Sequence, residues 1–83
     1  MFKITKKVEY ALMAVRHLHT EGNKLSSSTE IANSYNIPKS LLAKILQRLA
    51  RKNIIKAIKG PSGGYVISKD PIKVKMTEFF EIM

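Results

Sequence analysis

The 83-residue sequence has no cysteine and few residues that break regular structure. Without thiols, the chain can form no disulfide, no thiolate metal site and no cysteine nucleophile. Four glycines and three prolines are too few for a disordered chain, and an apolar content of 45% is enough for one small core. We therefore expect a single domain over residues 1–83, a size at which the stability of an isolated core is marginal.

Long apolar runs are missing as well. The N-terminal segment is MFKITKKVEY, in which basic residues are not followed by the apolar stretch of a signal peptide. No run approaches the ~20 residues that span a bilayer. We therefore expect a cytoplasmic protein that does not associate with membranes.

Acidic residues are scarce, with six Asp and Glu against 15 Lys and Arg, for a net charge of +9. Between positions 31 and 69 there is no acidic residue at all. The same stretch carries eight basic residues: Lys39, Lys44, Arg48, Arg51, Lys52, Lys56, Lys59 and Lys69. A field of one sign on so small a domain favours a polyanion such as nucleic acid, although a merely soluble surface is the simpler alternative.

Apolar residues at three- and four-residue spacing predict a first helix over about 5–20, capped by Thr5 and ended by Gly22. Ser27 and Glu30 have the spacing of a capping box, which predicts a short second helix over 28–35. The neighbouring serines, Ser26 and Ser28, are also expected to act as caps. We further expect Leu25 in a very short strand and the side chains of Ile31, Ala32 and Tyr35 in the core.

A turn at 36–38 leads into a third predicted helix over 39–52, because Asn tolerates a left-handed backbone and Pro favours a helix start. Its buried stripe is Leu42, Ile45, Leu46 and Leu49. Strands at 54–58 and 65–68 then flank a glycine-rich loop at 59–64. Met76, Phe79, Phe80 and Met83 repeat at helical spacing, which predicts the start of a fourth helix. This order is that of an α+β, mostly helical fold, the winged helix-turn-helix.

In such a fold the third helix enters the major groove of DNA and the loop of the hairpin, the wing, reaches the minor groove or the backbone. The predicted contact residues lie on the third helix (Lys39, Ser40, Leu41, Lys44, Gln47, Arg48, Arg51), in the wing (Lys59, Gly60, Ser62, Gly63) and at the start of the first helix (Lys6, Lys7, Tyr10). The wing glycines are expected to permit a tight reversal and a close approach to the sugar-phosphate edge. A solvated helix face is the competing explanation for the third helix, and simple packing competes for Leu41 and Tyr10.

The sequence has no motif for nucleotide binding, metal binding or catalysis. The loop 59–64 matches neither phosphate-binding glycine motif and no helix follows it. His17 and His19 are two residues apart, so on a helix they face different directions, and the sequence has no third histidine. We therefore predict neither a metal site nor an enzyme.

The stretches ITKKVEYAL and EIANSYNIPKSLLAKILQRLARKNIIKAIKGPSGGYVISKDP resemble the family of regulators that includes IscR, NsrR and CymR. The most specific part is IKGPSGGYVISKDP after a helix with the LLAKILQRL pattern. The resemblance implies a homodimeric winged-helix repressor or activator. In such regulators the start of the third helix contacts the major groove, here through Lys39, Ser40, Leu41 and Ala43. The basic residue before the wing glycines, here Lys59, enters the minor groove. Lys59 replaces an arginine common in the family, which removes a planar guanidinium fork.

The family's dimerisation helix and cluster-ligating cysteines follow the region that corresponds to position 83. We therefore expect no cofactor in this chain and no C-terminal dimerisation or sensor segment, while a longer parent can carry an iron–sulfur cluster. The predicted function is sequence-specific binding of double-stranded DNA by a bacterial transcriptional repressor. The main alternative is a protein-interaction module that docks through 76–83. A weaker one is binding to RNA or to any nucleic acid, against which the scarcity of aromatic residues argues.

Overall fold

The computed structural model describes residues 5–68, and the predicted fourth helix lies outside them. Three helices precede a hairpin: α1 (Lys6–Glu21), α2 (Ser28–Tyr35), α3 (Lys39–Arg51), β1 (Ile55–Ile58) and β2 (Gly64–Ile67). This is the predicted winged helix-turn-helix. No end of a helix or strand differs from its predicted position by more than one residue.

The helix ends follow from the capping residues that the sequence contains. The Thr5 side chain accepts a hydrogen bond from the Val8 N–H at 3.3 Å, and Ser27 Oγ accepts one from the Glu30 N–H at 3.1 Å. Each bond satisfies one of the backbone donors that a helix start leaves unpaired. At the turn, Asn36 has the expected left-handed backbone, with φ 54° and ψ 43°, which ends α2 and redirects the chain toward α3.

The core lies between α1, α2, α3 and the base of the hairpin. Its members are apolar and at most 4% exposed: Val8, Ala11, Ala14, Val15, Leu18, Ile31, Ala32, Ile37, Leu42, Ile45, Leu46, Leu49, Ile54 and Ile55. The four predicted residues of the third helix are all among them. Burying each leucine or isoleucine side chain stabilises the fold by about 1.5–3 kcal/mol, so α3 is held firmly against the other helices by one face.

Tyr35 departs from the sequence prediction. It was expected to point into the core, yet it is 37% exposed and its hydroxyl lies 2.9 Å from His17 Nδ1. The ring stands edge-on to the imidazole, with centroids 5.6 Å apart and an interplanar angle of 89°. A phenol needs a polar partner, and His17 on α1 provides one at the rim of the fold.

The predictions that Ser26 and Ser28 act as caps were also wrong. Ser28 is the first residue of α2, whose N-cap is Ser27. Ser26 does not cap a helix: it is buried and pairs with Tyr65 as an isolated antiparallel bridge, with Ser26 N–H donating to Tyr65 O at 3.0 Å and Tyr65 N–H donating to Ser26 O at 2.8 Å. The short strand expected at Leu25 is thus a single bridge one residue later. It places β2 between β1 on one side and Ser26 on the other.

The hairpin is antiparallel, with Ile55 opposite Ile67 and Ile58 opposite Gly64. Gly64 also lies against the Ser26 bridge, because a Cβ there would come within 2.8 Å of the Ser26 carbonyl oxygen. β2 is therefore attached to the helical body at Gly64 and Tyr65, at the end of the hairpin next to the wing, and residues 59–62 of the wing are exposed. Within residues 5–68, no helix has the length and apolar character needed to cross a membrane.

Candidate nucleic-acid interface

The two faces of α3 are chemically opposite. At 3.6 residues per turn, Ser40, Lys44, Gln47 and Arg51 form a stripe that runs the length of the helix, on the side opposite Leu42 and Leu49. All four side chains of this stripe are exposed, whereas both leucines are fully buried. A helix anchored by one face and presenting a polar, cationic stripe on the other has the form needed to enter a groove of DNA.

The N-terminal end of α3 is open to an anion. Pro38 precedes the helix and makes no side-chain cap bond, and no acidic residue lies in the first turn. Lys39 and Ser40 are both exposed there. The positive end of the helix dipole and the lysine charge therefore add, which favours a phosphate at this end.

Two apolar residues of the predicted set lie at the rim of this surface. Leu41 and Ala43 are half-buried, and Leu41 packs against the core. Leu41 therefore has the packing role that was the alternative to DNA contact. Its exposed part leaves room for an apolar contact to a base, a role that stays a prediction.

The start of α1 comes next to α3. A shallow cleft of about 160 Å³ is lined by Lys7, Leu41, Lys44, Ile45 and Arg48, so that two lysines and an arginine from two helices border one depression. The sequence pattern indicated these residues separately, and the tertiary fold brings them together. Cations that converge in this way suit a backbone phosphate.

The other two α1 residues of the predicted set do not line that cleft. Lys6 pairs with Glu9 at 3.5 Å on the exposed surface, where such a pair contributes little to stability. Tyr10 is half-buried and packs against the core, which is the packing alternative. A phosphate contact for either residue stays a prediction.

The wing presents its polar residues to solvent. Lys59, Gly60 and Ser62 are exposed, and the Gly63 N–H donates to Gly60 O at 3.0 Å to close the turn. Gly60 has φ 123°, a conformation that L-residues avoid. A Cβ at Gly63 would overlap the carbonyl oxygen of Ile58. The expected tight reversal is confirmed.

The close approach of the wing glycines to a sugar-phosphate edge stays a prediction, and two of these glycines also lie close to the backbone of the protein itself. Gly63 and Gly64 approach backbone atoms of the protein itself, Ile58 and Ser26 respectively. At Gly60, by contrast, no atom lies within 4 Å of the position that a Cβ would take. Of these three glycines, Gly60 is therefore the one whose Cβ position is open to a sugar-phosphate edge.

One polar cluster was missed. His17, expected to have no particular role, hydrogen-bonds to Tyr35 Oη through Nδ1 and to Ser26 Oγ through Nε2, at 2.9 and 3.3 Å. Its partners lie 18 and 9 residues away, so no local spacing could have indicated them.

Comparison with known proteins shows which family shares this sequence and architecture. The model of the Rrf2 family, described as iron-dependent transcriptional regulator, matches residues 4–83. The chain belongs to the Rrf2 family. It is 33% identical over 75 residues to a helix-turn-helix-type transcriptional regulator of Aquifex aeolicus, covering 90% of this chain and 52% of that protein. It is 31% identical over 77 residues to the regulator NsrR of Bacillus subtilis, covering 92% of this chain and 53% of NsrR.

Among solved structures, CymR of B. subtilis, described as its global cysteine regulator, superposes with a TM-score of 0.87 at 25% identity, over 99% of this chain and 64% of that one. The Rrf2-family chain thus spans about half the length of the sequence relatives that it matches. The family is one of transcriptional regulators and not of enzymes, as the sequence predicted.

The family description names iron, but the residues that the structure describes do not fit an iron site. The sequence has no cysteine, and over residues 5–68 no three His, Asp or Glu side chains lie close enough together to hold a metal ion.

Proposed function

We propose that this chain binds double-stranded DNA sequence-specifically as part of a bacterial transcriptional regulator, with α3 in the major groove and the wing at the minor groove. The observation that carries the proposal is the exposed stripe of Ser40, Lys44, Gln47 and Arg51 opposite the buried leucines of α3. A major groove about 12 Å wide admits one helix, and positions 31–69 contain no carboxylate that would repel phosphate.

Within this arrangement, base contacts are assigned to the start and centre of α3. Lys39 and Ser40 lie at the end that enters the groove first in helix-turn-helix proteins, with Leu41 and Ala43 at its rim. Lys44 and Gln47 follow along the exposed stripe. Gln can bond an adenine edge with both amide atoms, and Lys can donate to guanine.

Phosphate contacts are assigned to the flanks. Arg48 and Arg51 lie in the second half of α3, and Lys7 borders the same cleft as Arg48. Lys59 stands at the entrance of the wing. The remaining members of this group are Lys6, Tyr10, Gly60, Ser62 and Gly63. Each lysine or arginine that neutralises a phosphate releases counterions, so these contacts supply affinity and not sequence preference.

We expect the regulator to act as a homodimer and as a repressor in the cytoplasm, where bacterial DNA lies. The resemblance supports the dimer, and two copies would contact half-sites about 34 Å apart, one helical turn of DNA. A protein that occupies an operator excludes other proteins from it, which supports repression. The organisation of residues 1–83 as a single domain likewise stays a prediction.

The test begins with selection of duplexes from a randomised library on the immobilised chain. Fluorescence anisotropy then compares the selected duplex with a scrambled one of the same composition. We expect tighter binding of the selected duplex by at least about 10³-fold at physiological salt, and a palindromic consensus for a dimer. Equal affinity for the two duplexes would refute sequence-specific binding, and preference for single-stranded RNA would favour the weaker alternative.

Lys59→Ala and Arg48→Ala are expected to weaken binding to both duplexes. Removing one cation that neutralises a phosphate should reduce the slope of log affinity against log salt by about 0.9. An unchanged slope in both variants would show that neither residue contacts the backbone.

A further inference from the structure

Side-chain hydrogen bonds of His17 connect α1 to the last residue of α2 and to Ser26, which pairs with β2. His17 projects from α1, with 16% of its side chain exposed. Its Nδ1 lies 2.9 Å from Tyr35 Oη and its Nε2 lies 3.3 Å from Ser26 Oγ. Glu21 Oε1 lies 3.8 Å from the same Nε2. One imidazole therefore contacts groups from two other parts of the chain.

The two hydrogen-bond partners of His17 lie next to the two elements that are proposed to contact DNA, α3 and the wing. Tyr35 is the last residue of α2, and only three residues separate it from α3. Ser26 exchanges two backbone hydrogen bonds with Tyr65 in β2, the strand that leaves the wing loop. The hydrogen bonds thus run from the turn before α3, through His17, to the base of the wing.

Both hydrogen bonds of His17 can form whichever ring nitrogen carries the proton. A neutral imidazole has one donor and one acceptor nitrogen, and both partners are hydroxyls that can take either role. Either tautomer can therefore complete both bonds. Ser26 is 1% exposed in the intact protein, and loss of the imidazole removes the side-chain hydrogen bond of its hydroxyl, a bond that contributes to the stability of the fold.

We propose that His17 is a positioning residue, which sets the orientation of the wing relative to α3 and so lets both contact one DNA duplex at the same time. This inference rests on the proposed DNA binding. The two side-chain hydrogen bonds of His17 lie at the edge of the apolar core, with Tyr35 37% exposed and the His17 side chain 16% exposed. Their contribution is to orientation, because hydrogen bonds restrict angles in a way that apolar contacts do not.

The test uses the 83-residue chain with His17→Ala and, as a milder change that keeps the ring, Tyr35→Phe. His19→Ala is the matched control, because His19 lies on the same helix, is exposed and has no side-chain hydrogen bond within the described part of the chain. Binding to the selected duplex is measured where thermal melts show every variant to be folded. Amide hydrogen exchange of Ser26 and Tyr65 is measured without DNA.

We expect His17→Ala to weaken binding to the selected duplex by about 5- to 30-fold, which corresponds to the loss of one or two hydrogen bonds. Tyr35→Phe should have a smaller effect in the same direction, and His17→Gln, whose amide has both a donor and an acceptor, should recover part of the loss. Exchange of the Ser26 and Tyr65 amides should rise about tenfold in His17→Ala, with His19→Ala like wild type.

The outcomes separate the two proposals. If wild type prefers the selected duplex and folded His17→Ala binds it equally well, the positioning role is refuted while DNA binding stands. If wild type shows no preference, the proposed function fails, and the exchange data alone decide whether His17 anchors the base of the wing. Unchanged exchange in His17→Ala would overturn the anchoring, and with it the inference.

Discussion

Gly64→Ala tests whether the wing is held by the Ser26 bridge. Gly64 does not have a positive φ, so an alanine there is not strained by its own backbone. The new Cβ would lie 2.8 Å from the carbonyl oxygen and 3.0 Å from the carbonyl carbon of Ser26. Both are backbone atoms that cannot rotate away, so β2 and Ser26 must separate.

The separation lengthens the two hydrogen bonds between Ser26 and Tyr65, which measure 3.0 and 2.8 Å. A buried backbone bond contributes about 0.5–1.5 kcal/mol net, so losing both costs about 1–3 kcal/mol. Replacing glycine recovers about 0.4–1 kcal/mol by restricting the unfolded chain. The midpoints of these two ranges give a net loss of about 1.3 kcal/mol, which corresponds to a fall in Tm of about 5–10 °C for a domain of this size.

Circular dichroism melts measure this change, with Ser62→Ala as the control because Ser62 is exposed in the loop just before β2. The control should shift the free energy of unfolding by no more than about 0.5 kcal/mol. If Gly64→Ala melts within the spread of wild type and the control, and the Ser26 and Tyr65 amides keep their protection from exchange, then the bridge does not anchor the wing.

Three further predictions concern the capping, the core and the charge of the domain. Ser27→Ala should reduce the free energy of unfolding by about 1 kcal/mol, because the Glu30 N–H loses its acceptor. Urea denaturation measures this free energy, with exposed Thr29→Ala as the control. A change as small as that of the control would contradict the prediction. Leu46→Ala should cost about 2–5 kcal/mol by leaving a cavity at a fully buried site, and a loss below about 1 kcal/mol in the same assay would show that the core collapses around it. Lys44→Ala should weaken DNA binding and Lys24→Ala, on the loop before α2, should not; equal effects on anisotropy titrations would indicate that only net charge matters.

Most of the candidate interface was predictable because it lies on one helix, α3, whose buried and exposed faces follow from the spacing of its residues. The pattern of Leu42, Ile45, Leu46 and Leu49 determines which face of α3 is buried, and the exposed face follows from helix geometry alone. The cleft that Lys7 shares with Lys44 and Arg48 was not predictable as a site, since it depends on how α1 crosses α3. Residue type and spacing carry no information on that crossing.

The sequence by itself determined where each helix begins and ends and which partner chemistry the surface favours. Thr5, Ser27 and Asn36 act on backbone groups within a few residues, so their effects need no distant contact, and the acid-free stretch from 31 to 69 has its charge whatever the fold. Only the tertiary structure decided the roles of His17, Ser26 and Tyr35. Their hydrogen bonds join segments that are far apart in the chain, and polar groups at such separations meet only after the apolar core has brought the helices and the hairpin together.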